Sequence, residues 1–240
     1  MLIGVDASQL EWRVCLELCQ DPVGIQEIFD KADTHSLNQA AFNLPSRLIS
    51  KIYLFRTIFN HGNGYAFTLD PNFMHVSTSV KFWDDVGEKF YKKYAKLEDL
   101  YQTNMKLITH SKPIVGPLGR EWHIGMERDW RGELKIPETK CVNYPVQGTG
   151  ADIMMLVRIS FWNRLCKKSW GHLVKLVATV HDSLVVDAPD YLKDEICQMF
   201  YAVFADLPKN IKKLFNYTWT VPLECEAKFG PNMKEMTKWA

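Results

Sequence analysis

The chain has 240 residues, 47% hydrophobic and 24% charged, with 29 basic against 28 acidic side chains. That is ordinary globular composition for one large or two small domains, with a core that needs neither disulfides nor structural metal. A net charge of +1 leaves no chain-wide basic excess, so any footprint of a nucleic-acid partner has to be local.

The opening run MLIGV reads as a short apolar strand that stops at Asp6. From Gln9 to Cys19, the apolar positions Leu10, Val14, Cys15 and Leu18 recur at helical spacing. Residues 34–69 contain no Asp or Glu but carry His35, Arg47, Lys51, Arg56 and His61. Pro45 and Ser46 open a helix that runs to about Asn60, and His61-Gly-Asn-Gly64 ends it. Residues 83–108 have Phe90, Tyr94, Leu97, Tyr101 and Met105 at steps of three or four, which reads as helical. The glycines and prolines of 113–125 predict a hairpin. Pro137 and Pro145 precede a helix expected from about Gln147 to Lys168. LVKLVATV and SLVVDAP flank His181-Asp182 and predict a hairpin that turns on this pair. An amphipathic helix over 190–206 follows, and VPLECEAKFG (221–230) reads as an edge strand.

The six cysteines form no CxxC pair, and no apolar run approaches the roughly 18 residues of a membrane span. Asp6 interrupts the apolar start, so no secretory signal is expected. These features predict a cytoplasmic protein (host cytoplasm if phage-encoded) with free thiols, no zinc site and no membrane partner.

Three sites can carry chemistry. Asp6 and Asp182 both stand at strand ends, where side chains face a cleft, and hard carboxylate oxygens suit magnesium. Taken alone, either aspartate also reads as a turn residue. Arg47, Lys51, Phe55 and Phe59 are spaced by four. Each such step advances about 40° on a helix, so they form one slanted stripe. Two cations followed by two rings suit a nucleotide, with charge for the triphosphate and rings for base and sugar. The alternative is an amphipathic helix with core aromatics and solvated cations. Asn143 and Gln147 lie in a Pro- and Gly-containing segment where amides could reach base edges, or the segment is a capped helix start.

Taken in order, these segments resemble a family A DNA polymerase of the bacterial DNA polymerase I type, nearer to phage members because the fingers segment is short. Asp6-Ala-Ser-Gln-Leu-Glu-Trp-Arg13 resembles motif A, and DTHSLNQAAFNLPSR (33–47) through Lys51, Phe55 and Phe59 resembles the fingers helix, motif B. GPLGRE (116–121) is similar to the intervening hairpin region, NYPVQGTGAD (143–152) to the template-primer segment, and VHDS (180–183) to motif C. The resemblance runs from about residue 2 to residue 232.

It implies an α+β fold: a polymerase palm with an antiparallel sheet plus mainly helical fingers, thumb and exonuclease domains absent. Residues 1–30 and 136–240 would form the palm and 31–135 the fingers. Asp6, Asp182 and the Ala7 carbonyl would bind two Mg2+ ions. His35, Arg47 and Lys51 would hold the triphosphate, with Lys51 also protonating the leaving pyrophosphate. Gln9 would lie near the phosphates, Phe55 beside the sugar, and Glu11 as a gate against a ribose 2′-hydroxyl. Arg13, Asn143, Gln147 and His181 would position primer-template DNA. Three residues depart from the family pattern: Ser183 replaces an auxiliary glutamate, Phe59 a tyrosine that restrains the gate, and Arg56 a glycine. Looser sugar selection is expected from Phe59. Met1 stands five residues before Asp6, so the resemblance implies a second polypeptide that supplies the thumb and upstream palm. The expected function is DNA synthesis from dNTPs, as the catalytic piece of a split phage-type polymerase. The alternatives are a catalytically impaired DNA-binding remnant and a metal nuclease.

Overall fold

The computed structural model of the protein describes residues 1–60 and 64–239, without the side chains of Phe59 and Asn60. Two compact units emerge, one of residues 1–14 with 147–240 and one of residues 15–146. The boundaries drawn from sequence, after residues 30 and 135, differ from these.

The first unit is built on a five-stranded antiparallel sheet. Its strands are β1 (Leu2–Ala7), β6 (Lys175–Val180), β7 (Ser183–Asp187), β8 (Cys225–Gly230) and β9 (Thr237–Lys238), in the order β6-β7-β1-β8-β9. Side chains alternate between faces along each strand. Ile3, Val5 and Ala7 therefore share one face with Leu184, Val186, Cys225 and Ala227, and all seven are buried. The long helix α9 (Lys193–Phe215) packs against β1 and β8. It buries Ile196, Phe200, Val203, Phe204, Leu207 and Ile211, the i, i+4, i+7 stripe of a core-facing helix. Phe200 stacks on Phe161, with ring centroids 4.2 Å apart. The opposite face carries Gly4, Asp6, Ser183, Glu226 and Lys228. One strand thus sends its apolar residues to the core and its aspartate to the polar side.

Two expectations change here. The segment 221–230 was expected as an edge strand, but β8 lies inside the sheet because the two-residue β9 pairs with its outer side. Helix α9 does not end at residue 206. It continues through Pro208, because Leu207 and Ile211 extend its buried stripe.

The second unit is mainly helical: α2 (Pro22–Phe29), α3 (Thr34–Phe42), α4 (Arg47–Asn60), α5 (Gly64–Thr68), α6 (Val80–Lys93) and α7 (Ala95–Thr109). Helix α1 (Leu10–Cys19) begins in the first unit and ends in this one. Ser46 caps α4 as expected, accepting from the Ile49 amide at 3.2 Å. Three residues of the expected 61–64 stop signal, His61 among them, lie outside the described residues. Helix α4 turns Ile49, Tyr53, Leu54 and Ile58 inward. The Tyr53 ring meets those of Phe42, Phe67, Phe73, Trp83 and Phe90, with centroids 5.0 to 6.4 Å away. The expected hairpin at 113–125 forms as β2 (Ile114–Val115) with β3 (Glu121–Trp122), and β4 (Glu127–Arg128) pairs with β5 (Leu134–Lys135).

The helical stretch expected over 83–108 forms as two helices, broken at Tyr94 (φ −114°, ψ 64°). The buried Tyr94 hydroxyl donates to Glu27 at 2.9 Å and lies 2.9 Å from the Asn38 side-chain oxygen. Lys93 bonds the same two residues at 2.6 and 2.7 Å. Asp21 caps α2 through one carboxylate oxygen and accepts the Lys96 amide of α7 through the other. The break is therefore held by side chains remote in sequence.

Helix α8 spans Glu138–Lys167, starting nine residues before the expected Gln147, with Pro145 inside it. Proline cannot donate to the carbonyl four residues back, here that of Cys141. That carbonyl instead accepts from the buried Asn104 side-chain amide at 2.8 Å. Asn104→Ala strands this buried acceptor and is expected to cost about 1–3 kcal/mol in chemical denaturation. A loss below about 0.5 kcal/mol would show that the bond does not offset Pro145.

Candidate active site

The candidate residues fall into two groups, one in each unit. In the first, Asp6 sits at the end of β1, directly opposite Ser183 of β7 and Glu226 of β8. Asp182 occupies the two-residue turn between β6 and β7, beside His181, whose backbone is left-handed at φ 51°. The Asp182 carbonyl accepts from the Ala7 amide at 2.9 Å, which ties the hairpin tip to the end of β1. Glu11, on the first turn of α1, is half-buried, and its carboxyl is raised above the usual range. Burial is the main cause, the Asp182 charge adds to it, and His181 opposes it. Asp182, Glu11 and His181 thus belong to one electrostatic neighbourhood.

Gln9 is exposed and left-handed (φ 52°), and its carbonyl accepts from the Arg13 amide at 3.0 Å. Arg13, expected to touch DNA, is buried. Its guanidinium donates to the Pro222 carbonyl and to Glu224, each at 2.6 Å. The Ser183 hydroxyl donates to the Val180 carbonyl at 2.9 Å, so it serves the hairpin turn. Gln147 is exposed on α8. At Gly150 an added Cβ would meet Leu10 only at an ordinary 3.6 Å, so glycine itself is not required there.

Sequence reading missed Lys228, whose ammonium lies 2.8 Å from an Asp6 carboxylate oxygen. Its signal was the alternation of Glu226 and Lys228 with Cys225 and Ala227, which sets both charges on the Asp6 face. Asp6 and Asp182 carry the hard oxygens that a divalent cation takes, and the lysine shows that an Asp6 oxygen is open to positive charge. No group of three or more His, Cys, Asp or Glu is arranged around a common metal position among the described residues. Magnesium commonly takes one or two carboxylates and completes its octahedron with water and substrate phosphates.

In the second unit, Arg47 and Lys51 are exposed and Phe55 is half-buried on α4. His35 of α3 lies beside Phe55, with ring centroids 6.1 Å apart. His35 is buried, and burial first and the Arg47 charge next lower its pKa below the ordinary imidazole value. The Phe59 side chain is outside the described residues. Arg47 is not a solitary cation: Asp33 accepts from it at 2.6 and 3.1 Å. These bonds hold the Asp33 carboxyl well below its ordinary range. Arg56 likewise pairs with Asp70 at 2.6 Å. The stretch without carboxylates is thus bounded by two aspartates that fold back onto its arginines. Asn143 lies on α8 and belongs to this unit, with its side-chain oxygen buried.

The chain belongs to DNA polymerase family A, whose family model matches residues 1–235. It is 24% identical to DNA polymerase I of Aquifex aeolicus over 234 residues, covering 90% of this chain and 38% of that protein. Identity is 23% to the thermostable DNA polymerase I of Thermus aquaticus, covering 96% of this chain and 26% of that protein. Identity is also 23% to a DNA polymerase of Bacillus phage SP01, covering 97% of this chain and 26% of that protein. The chain therefore spans between about a quarter and two fifths of the length of these relatives. Among solved structures, the POL domain of Pol1 from M. smegmatis, in complex with DNA primer-template and dNTP, matches with TM-score 0.75. That likeness, at 19% identity, covers 95% of this chain and 39% of that one, and shows the fold. No helix among the described residues is long and apolar enough to cross a membrane.

Proposed function

We propose that this chain performs template-directed DNA synthesis, joining dNTPs to a primer 3′-hydroxyl. One observation carries the reading: Asp6 and the turn that holds Asp182 lie at the same end of one antiparallel sheet, tied by the Ala7 amide's bond to the Asp182 carbonyl. In the reaction the primer 3′-oxygen attacks the α-phosphorus, the bond to the β-phosphate oxygen breaks, and pyrophosphate leaves. Two magnesium ions, held by Asp6, Asp182 and the Ala7 carbonyl, would lower the pKa of the attacking hydroxyl and neutralise the leaving oxygen. The protein's own work is positioning and charge neutralisation. Arg47 and Lys51 bind the triphosphate, with His35 beside them, and Lys51 donates a proton to the leaving pyrophosphate. Phe55 lies by the sugar, and Gln9 and Glu11 border the nucleotide. Asn143, Gln147 and His181 align primer and template. Arg13, bound to Pro222 and Glu224, supports this strand end from within.

Primer extension tests the reading, with a primed template, magnesium and dNTPs offered to the chain. Extension supports it. DNA binding without extension would leave a binding remnant, and primer shortening without dNTPs would indicate a nuclease. Lys51→Ala is expected to raise the dNTP KM about tenfold and lower kcat about a hundredfold, as for loss of a general acid. Lys51→Arg keeps the charge but not the readily donated proton, so it should restore KM more than kcat. Equal restoration of both in single-nucleotide extension would remove the proton-donor role.

A further inference from the structure

The polar face of the sheet holds a cation that the proposed reaction does not use. Lys228 stands on β8 opposite Gly4, and its same-face neighbour Glu226 stands opposite Asp6. The diagonal step across paired strands is within reach of a long side chain. The Lys228 ammonium takes that step, lying 2.8 Å from Asp6 Oδ2 and 3.7 Å from Glu226 Oε1. Glu226 is already answered from the other side by Lys238, at 2.7 Å from its Oε2. The second lysine thus satisfies Glu226 and leaves Lys228 for Asp6.

We propose that Lys228 is a resident counter-cation of Asp6 that competes with a divalent metal ion for the same carboxylate and so sets its metal affinity. The inference rests on the reading of Asp6 as a metal ligand. A magnesium ion binds carboxylate oxygen at about 2.0–2.1 Å. It cannot share Oδ2 with an ammonium at 2.8 Å without bringing like charges together, so metal loading displaces the lysine. The displaced ammonium has an acceptor waiting in Glu226 Oε1, only 3.7 Å from its present position. The exchange is therefore a small side-chain movement on an unchanged sheet. Before metal arrives, the lysine holds the Asp6 carboxylate in place. When metal is scarce, it keeps the site closed to chemistry.

The test is Mn2+ binding to the full chain without DNA or dNTP, read by electron paramagnetic resonance of the free ion. Lys228→Met removes the competing charge and keeps the stem, so it is expected to bind Mn2+ roughly three- to tenfold more tightly than the unaltered chain. Lys228→Arg keeps the charge and is expected to stay within about twofold of the unaltered chain. Asp6→Ala is expected to lose the site. Equal or weaker binding by Lys228→Met overturns the proposal, as does binding by Lys228→Arg as tight as that of Lys228→Met. Should Asp6→Ala bind Mn2+ like the unaltered chain, the metal-ligand reading of Asp6 fails and the competition falls with it. Loss of binding in Asp6→Ala with no change in Lys228→Met overturns the competition alone.

Discussion

Asp182→Ala is expected to lower the single-turnover rate of primer extension by at least about a thousandfold, some 4 kcal/mol of barrier at 1.36 kcal/mol per tenfold. The size follows from where charge develops. The α-phosphoryl group carries negative charge through the transition state, and metal-centred neutralisation is the largest contribution a protein can arrange there. In the proposed reaction Asp182 is one of two carboxylate ligands, and its loss would leave a metal ion both weakly held and misplaced. The fold should not follow the activity down. Asp182 is an exposed turn residue, and the bond that ties the turn to β1 uses its backbone carbonyl, which alanine retains. Substitutions at such surface positions usually fall within about 0.5 kcal/mol. The Glu11 carboxyl supplies an independent readout. Part of its upward shift comes from the Asp182 charge, so the variant should move its titration down toward the ordinary glutamate value. Extension within threefold of the unaltered chain, with Glu11 moved as expected, would show that Asp182 is present at the site but not used in the chemistry.

The parts of this molecule that sequence reveals are those decided by neighbours along the chain. Strand β1, helix α1, the Ser46-capped helix α4 and the His181-Asp182 hairpin each carry their own periodicity and punctuation, and each forms where expected. The failures are decided elsewhere. Pro145 reads as a helix boundary because local rules see only a missing donor. Its compensation is Asn104, 37 residues before the carbonyl it satisfies. Tyr94 sits in an unbroken helical pattern, yet its hydroxyl is claimed by Glu27 and Asn38, and the helix divides there. The site divides the same way. Asp6 and Asp182 are legible as strand-end carboxylates. The Asp33–Arg47 pair and the Lys228–Asp6 pair are not, because nothing near Arg47 or Asp6 in the chain announces a partner 14 or 222 residues away. Unlike these, Arg13 was legible as a cation near the right strand. The sequence does not reveal that its charge is spent inside the protein on Glu224.

Tyr53→Ala is expected to be the most damaging single change to the helical unit, costing about 3–5 kcal/mol, the range for large aromatic truncations in a core. Tyr53 is 1% exposed, and its ring touches five other aromatic rings drawn from α3, α5, α6 and the 70–79 connection. Alanine there opens a void that stiff, mutually packed rings cannot close, so the cavity contribution should stand near its upper range. Against a typical stability of about 5–15 kcal/mol, the unit would become marginal, and calorimetry should place its unfolding roughly 10 °C lower or more. Tyr53→Phe is the control. It keeps the ring and removes only a hydroxyl that burial already holds neutral, so it should stay within about 1 kcal/mol. The consequence for function follows from geometry within one helix. Tyr53 anchors the inward side of α4, while Arg47, Lys51 and Phe55 stand on its outer side. A helix that loses its anchor presents the same cations less firmly. In the proposed reaction Tyr53→Ala should therefore raise the dNTP KM at temperatures where the unit is still folded. An unchanged KM there would mean that the nucleotide groups do not depend on the aromatic core for their placement.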